Sequence, residues 1–497
     1  MFGVQYRPYC LVHATALSVL GTVSSVHATE HLNRTELTNK LSCMNRRYGS
    51  QNRESGRMNQ TIRPILNTEH SVYTTVLFFS VNIVENRHCA KLNQIIQTKF
   101  PHAPLKGVNF EYGFNLDHLK EIRSYWLNKY DWNARLKFLN SFPHFKTIVS
   151  GLDIHFMHVK PTATSQKSLK VIPILLLHSW PGSIREFYEL IPQLVTPRKD
   201  FDFIFEVIAP SLPGFGYSEA AVIPGLSTAQ MGVIFKKLMK KLGHEKFYVH
   251  GGNWGFKIGR DMSISYPENI LGLHATMCTD FDLTPRNLVW TWARIFLGSI
   301  YPPLIEDPKE DHDRLYPLRD FFTWLWTETG YAHLHATKPD TIGAALLDSP
   351  TGLAAYILGK FATLTNPANI NLPDGGLTKK FSLDALLDNV MIYWTTDSIL
   401  TSIRLYSEYC STKYKDLNFE LAPVKAPTAC ARFRHELFYS PAFSLREKFK
   451  NLVRISKIND GGLYPTFELP DVVANDIWSS IPLFAQANKN VTDSLKK

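Results

Sequence analysis

Three glycines crowd around one polar residue in Phe247-Tyr-Val-His-Gly-Gly-Asn-Trp-Gly255. A short β-branched and aromatic run leads into them, so the stretch reads as a strand that ends in a sharp turn into a helix. Such a turn needs small residues two before and two after its apex, because the backbone folds back on itself there. Gly251 and Gly255 stand at those offsets and make Asn253 the apex. A strained apex of this kind pushes a side chain out into a site, and Asn tolerates the required backbone better than most residues do. It is the place for a nucleophile. A neutral carboxamide, however, is a very poor one where a carboxylate or hydroxyl would serve. Upstream, His178-Ser-Trp-Pro-Gly-Ser183 closes another apolar run. The backbone amides around Trp180, together with that of Trp254, have the makings of an oxyanion hole, the alternative being a plain Pro-Gly turn. Pro210-Ser-Leu-Pro-Gly-Phe-Gly-Tyr-Ser218 follows a further run, and three such loops in order favour a catalytic scaffold.

These loops converge only if the runs ahead of them are neighbouring strands. Residues 171–177, 203–209 and 247–249 are such runs, and 228–242 between the last two has an amphipathic helical pattern. Strand, helix, strand in this order implies right-handed crossovers, a parallel sheet, and a site at the strands' carboxyl ends. Ahead of them, 116–139 shows helical spacing and 148–158 alternates like an edge strand. After the turn come a helix over 254–265 and a buried strand over 270–277. From about 283 to 388 the strand pattern vanishes, and helical, aromatic, proline-punctuated segments such as 318–329 and 341–364 predict a helical cap over the sheet. A long helix over 390–409 leads back to the core. Strands at 428–431 and 452–458 and a helix over 471–481 close the chain. The fold class is α/β, a mostly parallel sheet flanked by helices with an inserted cap. The expected division is 1–28 signal or anchor, 29–105 linker, 106–282 core, 283–388 cap and 389–485 core again.

The bulk numbers agree with a large globular chain. With 497 residues, 44% of them hydrophobic and 12% aromatic, a sizeable core can be buried. The net charge of +10 comes from dispersed Lys and Arg with no long basic run, so nucleic acid is not the expected partner. Cys10, Cys43, Cys89, Cys278, Cys410 and Cys430 are far apart and include no Cys-x-x-Cys, which indicates neither a zinc site nor a dense disulfide framework, but mostly buried thiols. Arg7 precedes an apolar, small-residue run over 11–23 that ends near Val26-His-Ala28, the order of an endoplasmic-reticulum signal. A cleaved signal and a marginal membrane anchor are the two readings, beside a poorly ordered terminus. Asn33, Asn59 and Asn490 open glycan-acceptor triplets. The apolar stretch 72–84 reads as two short strands or a membrane-touching segment.

From about 106 to 483 the chain resembles the microsomal-type epoxide hydrolases, and within them the insect juvenile hormone epoxide hydrolases. The resemblance runs through Gly107-Val-Asn-Phe-Glu-Tyr-Gly-Phe-Asn115, the Trp-Pro-Gly loop, Gly-Gly-Asn-Trp-Gly, Gly330-Tyr-Ala-His-Leu-His-Ala-Thr-Lys-Pro-Asp340, Asp348-Ser-Pro-Thr-Gly-Leu-Ala-Ala-Tyr356 and Asn389-Val-Met-Ile-Tyr-Trp394. It implies the α/β-hydrolase fold and a two-step reaction. An elbow Asp attacks an epoxide carbon while two cap tyrosines hydrogen-bond the opening oxygen, and water activated by a His, itself oriented by an acid, then hydrolyses the ester. The motifs match Tyr331 and Tyr406 to the cap tyrosines and Glu436 to the acid. The nucleophile position is Asn253 and the base position is Leu463, so both reacting groups are replaced while the oxygen clamp remains. Ser179 replaces a glycine. The resemblance further implies a lipophilic small-molecule epoxide as partner, no metal or cofactor, and association with the endoplasmic reticulum or microsomal membrane. Two readings follow. One is an epoxide hydrolase with impaired catalysis; the other is a non-catalytic lipid or hormone binder that retains the pocket.

Overall fold

A computed structural model of the chain describes residues 77–79, 95, 105–161, 169–279, 285–305 and 308–494. The expected signal or anchor, most of the expected linker, and Asn33 and Asn59 lie outside these residues; of the 72–84 stretch, only 77–79 is described. Asn490 is exposed near the end of the last helix.

Nine strands form one sheet: β1 (Leu77–Phe79), β2 (His144–Val149), β3 (Leu152–Val159), β4 (Lys170–Leu177), β5 (Phe203–Pro210), β6 (Phe247–Gly252), β7 (Ile270–Thr276), β8 (Thr428–Phe433) and β9 (Leu452–Ile458). Their spatial order is β1-β2-β3-β5-β4-β6-β7-β8-β9. The first three pair antiparallel and β3 joins β5 antiparallel, while every pairing from β5 to β9 is parallel. All residues of β5 and β8 are buried. Helices cover both faces of a parallel sheet, so its central strands read as unbroken apolar runs rather than alternating ones. The order puts β4 directly against β6, with Leu177 opposite Gly251, so the loops that follow the two strands are neighbours.

Several expected elements are shorter or divided, each for a local reason. The helix expected over 116–139 is two, Leu116–Asn128 and Trp132–Leu139, because Asp131 turns its side chain onto the amides of Asn133 and Ala134 and starts a new helix. The edge strand over 148–158 is the β2–β3 hairpin, turned at Ser150 and Gly151, both at positive φ. Ser349-Pro350 divides the 341–364 segment into Pro339–Asp348 and Pro350–Thr363, since Ser349 caps the second helix and Pro sits in its first turn. Asp397, at φ 57°, divides the helix over 390–409 into Leu383–Thr396 and Ile399–Tyr409. The closing helix runs longer than expected, Pro470–Ser494. Between β7 and β8, the regular segments described from 285 to 415 are all helical.

Two features tie the layers together. Asp388, fully buried, accepts from Arg135 Nε at 2.8 Å, Arg185 Nε at 3.0 Å and Tyr130 Oη at 3.0 Å. Removing one member of such a set strands a buried charge and costs about 3–5 kcal/mol. Cys278 and Cys430 form a disulfide from the end of β7 to β8, which corrects the expectation of thiols at those two positions; Cys410 is a half-buried thiol.

Candidate active site

Asn253 follows β6 with φ 52° and ψ −117°, a conformation that L residues rarely adopt and that costs on the order of 1–3 kcal/mol. The flanking glycines make it possible. A Cβ on Gly251 would lie 2.5 Å from the Gly255 carbonyl oxygen, and one on Gly255 would lie 2.0 Å from that of Leu177. The helix Trp254–Ser265 starts at the turn, so its free amides face the apex side chain. Asn253 Oδ1 accepts from the Trp254 amide at 2.6 Å and from the Trp180 amide at 3.5 Å. Those are the two donors expected to form an oxyanion hole, and the carboxamide oxygen occupies their focus.

The loop after β4 is held from three sides. His178 Nε2 accepts from the Leu212 amide at 3.0 Å and its Nδ1 lies 2.9 Å from the Ser179 carbonyl oxygen, so the ring donates from Nδ1. Burial pushes its pKa down to about 4, which makes it a neutral brace rather than a base. Asn389 Nδ2 donates to the Pro181 carbonyl at 2.7 Å, and the Tyr393 hydroxyl donates to that of Gly182 at 2.7 Å. Beneath the loop, Glu186 accepts from the amide and the hydroxyl of Ser179, and burial pushes its carboxyl up to about 7. Ser179 therefore has a defined place. Glu186, Asn389 and Tyr393 were not singled out in the sequence, where only the motif surrounding the last two gave a signal.

The cap tyrosines come from helices Gly330–Thr337 and Ile399–Tyr409. Trp180 stacks on Tyr331, with ring centroids 5.4 Å apart at 17°, and meets Tyr406 edge-on at 5.6 Å. Trp254 meets Tyr406 edge-on at 4.6 Å. The two tyrosine rings lie 6.1 Å apart, and both stand against the tryptophans of the β4 loop and the elbow. Burial pushes Tyr331 up to about 12 and raises Tyr406 well above the usual phenol range, so both stay protonated and can donate. His335, unremarked in the sequence, packs edge-on against Trp180 and Tyr406, both at 4.8 Å, and its Nε2 lies 2.8 Å from the Tyr356 hydroxyl. Burial holds its pKa down near 3, too low for an effective base at neutral pH.

Glu436 follows β8, and Leu463 follows β9. The two loops are joined where the His435 amide donates to the Gly461 carbonyl at 2.8 Å, and Glu436 Oε1 accepts from the Met277 amide at the end of β7, at 2.7 Å. Burial pushes the Glu436 carboxyl up to about 7 against the opposing pull of Arg314 and the Met277 amide. Leu463 is buried, with 1% of its surface exposed, and can neither accept nor donate a proton through its side chain. Next to it, Tyr464 is fully buried and its hydroxyl makes no hydrogen bond among the described residues. His250, three residues ahead of Asn253 on β6, is engaged elsewhere: its Nδ1 lies 2.9 Å from His274 Nδ1, and His274 Nε2 lies 3.0 Å from Asp476.

A mostly parallel sheet flanked by helices, with a sharp strand-to-helix elbow after β6 and a run of helices inserted between β7 and β8, defines the α/β-hydrolase class. Residues 172–413 match the alpha/beta hydrolase fold model, and residues 78–187 match the one described as Epoxide hydrolase N terminus. The juvenile hormone epoxide hydrolase of Bombyx mori is 47% identical over 406 residues, 82% of this chain and 86% of that one. Epoxide hydrolase 1 of Oryctolagus cuniculus is 43% identical over 384 residues, 76% of this chain and 83% of that one. The chain belongs to the epoxide hydrolase family. Its structure superposes on the crystal structure of the silkworm juvenile hormone enzyme with a TM-score of 0.80 at 44% identity, covering 84% of this chain and 96% of that one.

Proposed function

We propose that this protein binds lipophilic epoxides, juvenile-hormone-like molecules among them, and that their hydrolysis to diols is impaired at both chemical steps. The observation that carries the reading is the carboxamide of Asn253 seated on the Trp180 and Trp254 amides. Both loop amides are donors, so the side chain's single acceptor, Oδ1, must face them. The NH2 group then points where a carboxylate would present its attacking oxygen. An amide nitrogen has its lone pair delocalised and offers two hydrogens instead, so it can hydrogen-bond an epoxide but not open it. The second step fails separately, because Leu463 cannot activate water and Glu436 has no imidazole to orient.

Binding does not need either missing group. Tyr331 and Tyr406 are protonated donors set in an aromatic wall, which suits a strained ether oxygen on an apolar carbon skeleton. The test measures binding of a lipophilic epoxide and of an epoxide-mimicking amide beside diol formation. The proposal expects saturable binding with turnover far below ordinary enzyme rates, and a pocket that binds neither compound would overturn it.

Membrane association belongs to the same proposal. Val289, Trp290, Phe296, Leu297, Ile300 and Tyr301 are all more than half exposed on and just after the helix Pro285–Gly298. A spacing of seven residues sets Val289 and Phe296 along one side of it, with Trp290 and Leu297 beside them and Ile300 and Tyr301 just past its end. A face rich in Trp, Phe and Ile supports docking at a lipid interface. Among the described residues no helix is long and apolar enough to cross a membrane.

A further inference from the structure

Apart from the elbow, three potential ligand atoms converge from three elements. His158 lies on β3, Glu206 on β5, and His244 in the loop that leads into β6. Glu206 lies midway along β5, beside Val207, which pairs with Val159, and His244 stands before the amino end of β6, whereas Asn253 sits beyond the carboxyl end of β6. His158 Nε2 is 2.6 Å from Glu206 Oε1, and His244 Nε2 is 3.5 Å from the same oxygen. All three donor atoms lie within 4.8 Å of one another. The side chains are 11%, 11% and 17% exposed, which is low enough to exclude most water. His244 Nε2 is buried and makes no hydrogen bond among the described residues. A buried, unpaired ring nitrogen facing a carboxylate lacks a proton or a cation between them.

We propose that His158, Glu206 and His244 bind one divalent transition-metal ion of the zinc type. Two imidazoles and one carboxylate are a donor set used by zinc with a fourth position left to water, and borderline nitrogen donors select zinc, cobalt or nickel over magnesium or calcium. Ligands at zinc distances stand roughly 3.3 Å apart around a tetrahedron. The His244–Glu206 separation already fits, and His158 needs to withdraw by under about 1 Å. The competing cation is Lys160, whose Nζ lies 3.5 Å from Glu206 Oε1 on a side chain 69% exposed, free to swing outward when a dication arrives. The rings of Phe145 and Phe156, 6.1 and 6.4 Å from that of His158, shield the site on the β2–β3 side. Because the ligands span the antiparallel edge and the parallel core, the ion acts as a clip between them and takes no part in the chemistry at Asn253.

The full-length chain, stripped with chelator and dialysed, is titrated with Co2+ by visible absorption and then with Zn2+ in competition, and melted with and without Zn2+. The expected result is one tight ion per chain, a cobalt spectrum of low coordination number, and a raised Tm. His244→Gln lies in a loop and leaves the sheet intact; it should lower affinity at least tenfold and abolish the thermal shift, as should His158→Gln. Melting of each metal-free variant near the unmodified Tm confirms that folding is preserved. If His244→Gln and His158→Gln keep the unmodified stoichiometry and shift, or the unmodified chain binds neither ion, the assignment is overturned.

Discussion

The Trp254 amide donates to Asn253 Oδ1 across 2.6 Å, and this one bond decides which end of the carboxamide is turned to the backbone and which is left for a ligand. A carboxylate has an acceptor to give to the amide and a second oxygen left over for attack; a carboxamide has only the first. Asn253→Asp should therefore restore the alkylation step. The ester should then persist, giving a burst of about one product per enzyme, because Leu463 cannot activate water. Adding Leu463→His should convert the burst into continuous turnover. Rapid-quench and steady-state assays on a lipophilic epoxide separate the two, and multiple turnovers from the single variant would show that another base operates.

Tyr331→Phe and Tyr406→Phe should each weaken an epoxide-mimicking amide by roughly 2–10-fold, the worth of one buried hydrogen bond, while the apolar wall stays in place. The double change should reduce binding further. Calorimetric titration provides the check, and unchanged affinity in the double variant would remove the clamp from the account.

Three buried carboxyls set the pH dependence of stability. Burial pushes Glu186 and Glu436 up to about 7 and Glu468 up to about 8, the last in spite of amide donors at Gly462 and Tyr464. Between their unfolded value near 4.5 and these values the folded chain holds protons that the unfolded chain has released. Stability therefore falls as pH rises from about 4.5 to 8, by on the order of 3–5 kcal/mol per group. Glu468→Gln should flatten the upper part of that slope in urea melts; an unaltered slope would mean that Glu468 is ionised in the folded state.

Trp290→Glu with Ile300→Glu should leave the fold unchanged, since both side chains are more than 70% exposed, and should lower binding to phospholipid vesicles at least tenfold. Co-sedimentation measures it, and equal binding by both forms would assign membrane contact to another part of the chain.

The elbow was legible because its chemistry is local: Gly251 and Gly255 sit where a Cβ would strike backbone, and that demand can be counted along the sequence. The unbroken apolar runs of β4, β5 and β6 were legible for a related reason, burial on both faces. Breaks inside helical periodicity were harder. Asp131 and Asp397 divide helices through side-chain capping and a left-handed turn, and neither interrupts the apolar pattern on its own. The tertiary partners were beyond reach. Nothing near Glu186 announces that Ser179 will rest on it, and no spacing links His158 to Glu206 and His244. The Cys278–Cys430 disulfide was hidden likewise, because cysteines 152 apart become neighbours only once β7 and β8 pair.

The central claim is tested most directly by single-chain turnover of the unmodified protein on a juvenile-hormone-like epoxide, with bound ligand quantified in the same samples. The account predicts stoichiometric binding with intact epoxide recovered and no diol above the uncatalysed background. Sustained diol formation at several turnovers per second, an ordinary enzyme rate, would contradict it and would require a carboxylate and a base other than the residues at 253 and 463.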